Sequence, residues 1–264
     1  MAIPNAAILW PIRFATATPA IKVTTGLTTE TLTGAATIDR NMWLAGDNAA
    51  DAATYGGAGD AIKWLQDLLN TNTPSRTYAV AISAAGLVTV TVDTGPFTLH
   101  FDDAATTITP AFFGFAASAY VASGSAVSSP NQARGWFSPG YPLSEDTRDR
   151  QPYVGSVART ISGITRTSRI AAPHKLRDVS WLMLPQALAL AEYGAATAPT
   201  GTAEHAWQES LSLGRRLRLY DDAATRTTSS YGIYKVIDLA QPITRSGQPI
   251  TRFDFRLKLA RGDY

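Results

Sequence analysis

The sequence predicts a β-rich α+β protein: two domains of mainly antiparallel sheet, sandwich-like or barrel-like, each with one or two short packed helices. Three observations predict it. Apolar residues alternate in short runs, turn-forming residues separate those runs, and helical spacing appears only briefly. With 45% hydrophobic and 17% charged residues in 264, the chain has enough apolar material for a real core and is too apolar to be disordered throughout. The division is a first domain over 1–125, a linker or arm over 126–150 and a second domain over 151–264.

In the first domain, Asp60 can cap a helix whose Ile62, Leu65 and Leu69 share one face, ending before Asn70-Thr71-Asn72-Thr73-Pro74. Tyr78, Val80 and Ile82 alternate with small residues, Ala84-Ala85-Gly86 offers a turn, and Val88, Val90 and Val92 resume the alternation, which is a hairpin. After Asp93-Thr94-Gly95-Pro96, Phe97, Leu99 and Phe101 predict a third strand and a meander. Ala111-Phe112-Phe113-Gly114-Phe115 is too aromatic for water and is expected to pack on this domain. The uncharged stretch from Gly124 to Pro130 reads as linker.

In the second domain, Val157–Ile164 and Val179–Leu184 read as strands and Gln186–Tyr193 as a short helix ended by Gly194. Thr202 can cap a helix carrying Trp207 and Leu211, stopping at Gly214. Leu217 and Leu219 alternate with Arg216 and Arg218, Tyr231–Leu239 is a long β-branched run, and Phe253, Phe255, Leu257 and Leu259 face away from Asp254, Arg256 and Lys258. That amphipathic last strand is expected to be unpaired and able to extend a neighbour's sheet. The similar order of elements in both halves fits either an old duplication or a coincidence of common layouts.

The chemistry that this sequence excludes is informative. It has no cysteine, so no disulfide and no thiolate metal site. Its three histidines, His100, His174 and His205, lack tight ligand spacing; His205 and Glu209 share a helical face and suit a salt bridge as well as a ligand pair. Neither GxSxG nor GxxxxGK[ST] occurs, and Asp102-Asp103 and Asp221-Asp222 fall where turns are expected. No cofactor and no enzymatic activity are expected. The apolar run from Trp181 to Ala191 is too short for a spanning helix, which needs about 20 residues, so membrane insertion is not expected. The first residues lack the positive segment of a secretory signal, and the mature chain is expected to start near Met1.

Net charge is unevenly placed. Residues 1–133 carry five Lys and Arg against nine Asp and Glu, whereas 134–264 carry eighteen against twelve. Such asymmetry fits nucleic-acid contact, opposed surfaces on neighbouring copies, or two ordinarily solvated surfaces. Two segments are candidates for partner contact. Trp136, Phe137 and Tyr141, with the following Arg148 and Arg150, form an aromatic, proline-stiffened arm that suits either a partner or a clamp within the chain. Arg216 and Arg218 project from one side of a strand and, with Arg166, Arg169, Lys175 and Arg177, suit phosphate or a subunit interface.

Trp43-Leu44-Ala45-Gly46-Asp47, the helix Ala61–Leu69, Val88–Val92 and Phe97–Phe101 together resemble a small module of tail structural proteins of tailed bacteriophages. Trp181-Leu182-Met183-Leu184-Pro185, Trp207, Gly214–Asp222 and Phe253–Leu259 resemble tail-tube or distal-tail domains. The resemblance covers about two-thirds of the chain. It implies a virion protein assembled in the host cytoplasm, forming a homo-oligomeric ring, contacting other virion structural proteins, and leaving a lumen through which DNA passes without sequence-specific binding. Two domains suit a tube-end, adaptor or distal-tail role better than a repeating tube. The alternatives are a carbohydrate- or receptor-binding adhesin-like module and an enzyme whose site is assembled across the fold.

Overall fold

The computed structural model describes residues 5–34, 37–45, 61–71, 75–141, 143–144, 148–150, 155–159, 165–169, 176–185, 202–206, 209, 216–225, 232–245 and 252–261. The fold is mostly β and multi-sheet, with one long helix and several short elements. In chain order it runs β1 (Ala7–Leu9), β2 (Ile12–Thr16), β3 (Ala20–Thr25), β4 (Thr28–Thr33), β5 (Ile38–Met42), helix α1 (Ala61–Leu69), β6 (Tyr78–Ile82), β7 (Val88–Val92), β8 (Phe97–His100), β9 (Ala119–Ala122) and β10 (Ala126–Ser128). It continues with β11 (Trp136–Phe137), β12 (Arg148–Arg150), β13 (Gly155–Arg159), β14 (Thr165–Arg169), β15 (Leu176–Pro185), β16 (Arg216–Tyr220), β17 (Gly232–Arg245) and β18 (Arg252–Arg261).

Helix α1 forms where expected. Its buried face is Ala61, Ile62, Leu65, Leu68 and Leu69, and Lys63 pairs with Asp67 on the exposed side. Two of its leading amides, Ala61 N and Ile62 N, donate to the carbonyls of Trp43 and Leu44 at 2.8 and 3.0 Å, so preceding backbone satisfies groups a helix start leaves open. The cap expected at Asp60 and the helix expected over 186–193 lie outside the described residues.

The β6–β7 hairpin matches its expected register, with Tyr78 opposite Val92 and Ile82 opposite Val88. The expected meander does not form. The outer side of β7 is taken by β10, so β8 turns away at Gly95 (φ 77°) and enters a separate four-stranded sheet of order β4-β3-β8-β9. The segment 126–150, expected as a linker or arm, instead supplies β10 to the first region and β11 and β12 to a seven-stranded sheet of order β11-β1-β16-β17-β18-β15-β12. Strand β1 sits in that same sheet, between β11 and β16, so the division at 125 and 151 does not follow the sheets.

The last strand is also corrected. Far from being an unpaired edge, β18 lies between β17 and β15, with Phe255, Leu257 and Leu259 at most 1% exposed. A ten-residue strand with one strongly apolar face, paired along most of its length on both sides, is most stable in a sheet's interior, where both rows of backbone groups are satisfied.

Two aromatic clusters anchor the packing. Phe14 meets Trp64 and Phe112 at 4.7 Å, with Phe113 fully buried beside them, as the aromatic run at 111–115 leads one to expect. Phe137, Trp181 and Phe255 pack at centroid distances of 5.4–5.9 Å beneath the seven-stranded sheet. Each such ring pair adds about 0.5–1.5 kcal/mol beyond its buried area.

The hairpin turn at Gly86 ties the regions together. Gly86 has φ 77°, and a Cβ there would lie 2.3 Å from Cδ1 of the fully buried Trp136. Gly86→Ala should therefore lower stability by about 2–3 kcal/mol through left-handed strain and overpacking. Urea unfolding would check it: an unchanged midpoint would mean that the indole moves aside freely.

Candidate functional site

The residues expected to meet partners divide into three groups. Trp136 and Phe137 are fully buried in β11, paired with Leu9 and Ile8, so they act as the clamp within the chain and are not a free arm. Tyr141, 41% exposed, stays at the surface. Arg148 and Arg150 occupy β12 on one edge of the seven-stranded sheet, opposite Asp178 and Leu176.

Arg216 is exposed, but Arg218, two residues along the same face, has no exposed surface. Its guanidinium lies 4.2 Å from the Trp43 ring centre, and Nη1 donates to Ala45 O at 3.4 Å. The two arginines therefore do not form a shared surface patch. The physical reason is that the Trp43–Ala45 segment covers β16 at Arg218 but not at its first residue. Arg177 donates from Nη2 to Asp221 at 2.8 Å, Arg166 and Arg169 lie on the separate β13–β14 hairpin, and Lys175 is outside the described residues.

A buried polar cluster centres on Glu209. Trp10 Nε1 donates to Oε2 at 3.2 Å, Arg134 Nε donates to Oε1 at 2.8 Å with Nη2 also paired to it, and His205 Nε2 lies 3.3 Å from Oε2. The Glu209 side chain is 15% exposed and that of His205 4%. Thr202 caps the helical turn Ala203–Ala206, its Oγ1 accepting from His205 N at 3.1 Å, which fixes the imidazole beside the carboxylate. Burial pushes the Glu209 carboxyl up, but the bonds from His205 and Arg134 outweigh it and hold it at about 2. The carboxylate is thus saturated by donors and locks three distant parts of the chain together. Sequence spacing signalled the His205–Glu209 pair; the approach of Trp10 and Arg134 had no local signal.

Among the described residues, the two most exposed large hydrophobic side chains belong to the four-stranded sheet and its hairpin turn. The β3–β4 hairpin turns at Gly26 (φ 60°) and Leu27, which is fully exposed, and Val121 on β9 is 73% exposed. Thr29, Thr24, Thr98 and Val121 stand in register across its outer face. The hairpin register makes Thr25–Thr28 a bonded pair, so Thr29 and Thr31 aim their N–H groups outward from β4; by the same alternation Ala119 and Val121 aim theirs outward from β9. Among the described residues, no further strand joins either edge. The contrast is β6, whose edge is occupied by α1: Gln66 Oε1 accepts from Val80 N at 3.0 Å, and Asn70 Oδ1 accepts from Tyr78 N at 2.9 Å. Strands β1–β5 were not predicted by alternation alone, although Ile21 and Val23 before Gly26 carried a hairpin signal.

Among the described residues, no group of three or more His, Asp or Glu side chains is placed to hold a metal ion, and no helix is long and apolar enough to cross a membrane. No family model, curated protein or solved structure matches the chain.

Proposed function

We propose that this chain is a structural component of a bacteriophage tail, of tube-end, adaptor or distal-tail type, that assembles into a homo-oligomeric ring and contacts other virion proteins. The observation that carries this reading is the pair of open edges on the four-stranded sheet. An antiparallel sheet with an even number of strands has edge strands running in opposite directions. Rotation about an axis along the strands therefore brings β9 of one copy antiparallel to β4 of the next, and repetition closes a barrel-like ring without reversing any subunit. Exposed Val121 flanks the joint and gives it an apolar contact. The threonine face suits a lumen that DNA traverses without sequence-specific contact. On this reading strand addition uses β4 and β9, since the last strand is interior.

The test is light scattering across concentration, followed by electron microscopy. Rings of defined copy number are expected for the native chain. Thr31→Pro removes only an outward N–H and should give a folded monomer by circular dichroism. Rings that persist in this variant would rule out the β4–β9 joint, and a native chain that stays monomeric at every concentration would oppose ring formation.

A further inference from the structure

An open groove of about 490 Å³ lies between α1 and the β5 region, lined by Pro19, Ile38, Arg40, Trp64, Asp67 and Thr71 among others. Its volume is in the range of small-ligand sites, about 300–1,000 Å³. The wall chemistry is mixed in a particular way. Trp64 supplies a half-buried indole held edge-on by Phe14 and parallel to Phe113. Asp67 supplies a carboxylate acceptor already neutralised from outside by Lys63, whereas the Asp39 carboxylate pairs with Arg13 at 2.8 Å on the opposite, exposed face of the β2–β5 pair.

Arg40 differs from both. Among the described residues, no acceptor meets its buried Nε and no carboxylate pairs with it. Directly across the β2–β5 pair stands Phe14, so the Arg40 stem lies on the face that carries the aromatic cluster. The Nη groups of the same guanidinium are not buried and meet no acceptor among the described residues, so the edge that lines the groove is open to a pair of ligand oxygens. The neighbouring Thr37 and Thr71 hydroxyls donate to Ala17 O and Leu68 O, which leaves their oxygen lone pairs as acceptors.

We infer that this groove binds a short acidic saccharide, with a uronate carboxylate on Arg40 and a sugar ring against Trp64. The carboxylate pairs with the Arg40 guanidinium, the indole packs on the apolar face of a pyranose, and the ring hydroxyls donate to Asp67 and the threonine oxygens. A neutral saccharide lacks the group for Arg40. A simple aromatic acid lacks the hydroxyl donors that this many acceptors call for. The site is separate from the β4 and β9 edges and does not depend on ring formation.

The test is a nuclear magnetic resonance titration of the full chain, following the Trp64 indole N–H, with a glucuronate-containing disaccharide, the corresponding neutral glucose disaccharide, and benzoate. The acidic disaccharide should give a saturable shift, and Arg40→Gln should weaken its binding at least about tenfold while leaving the unfolding midpoint in place. Arg40→Lys should recover part of that loss. Equal binding of the neutral sugar, tighter binding of benzoate, an Arg40→Gln variant that binds as well as the native chain, or no saturable shift up to about 10 mM would each overturn the assignment.

Discussion

Glu209→Ala is expected to lower stability at pH 7 by about 3–5 kcal/mol, because it leaves the buried side chains of Trp10 and His205 and the half-buried guanidinium of Arg134 without their common acceptor. Set against a total of about 5–15 kcal/mol for a typical domain, that loss is large. The same carboxylate gives a pH signature. Its pKa is about 2 in the fold against an ordinary 4.5, so its contribution is fully present above pH 4.5 and is lost as pH falls from there toward 2. The difference corresponds to about 3 kcal/mol. Urea unfolding at pH 7 and at pH 3 should show this drop in the native chain and a much smaller one in Glu209→Gln, which has no proton to gain. A Glu209→Gln variant with the native acid limb would assign the acid sensitivity to other carboxylates.

Arg218→Glu is expected to cost about 5 kcal/mol, enough to unfold the chain at ambient temperature or leave it barely folded. The substitution places a carboxylate against the Trp43 ring face and the Ala45 carbonyl, both of which favour a cation, at a position with no exposed surface. Arg218→Met keeps the apolar stem without a buried charge and should cost less than about 2 kcal/mol. Arg216→Glu, at the exposed start of the same strand, should change stability by less than about 0.5 kcal/mol. The ordering of the three urea midpoints is the measurement. If Arg218→Glu and Arg216→Glu behaved alike, and altered only salt-sensitive assembly, the two side chains would be a surface pair after all.

These two residues also show why partner contacts are hard to read from a strand pattern. Alternation places Arg216 and Arg218 on one face, and that much holds. Which part of that face is covered depends on Trp43 and Ala45, more than 170 positions away. Trp136 and Phe137 make the same point in the other direction: their aromatic character suits an interface, and the interface they find is with β1 of their own chain.

Local physics in the sequence was sufficient for α1, with its apolar face at spacings of three and four, for the β6–β7 hairpin with its glycine turn, for the burial of Phe112, Phe113 and Phe115, and for the Thr202 cap and the His205–Glu209 pair. In each, the sequence signal itself spans no more than about a dozen residues, where side-chain period, turn chemistry and local apolar density can be read directly. Only the tertiary structure decided that β8 leaves the meander, that β1 and β11 join the sheet of β16 to β18, that the last strand is interior, and that Trp10 and Arg134 converge on Glu209. Those outcomes turn on which of several open strand edges and buried donors find each other. Alternation fixes which face of a strand is apolar but carries no information about which strand will lie beside it.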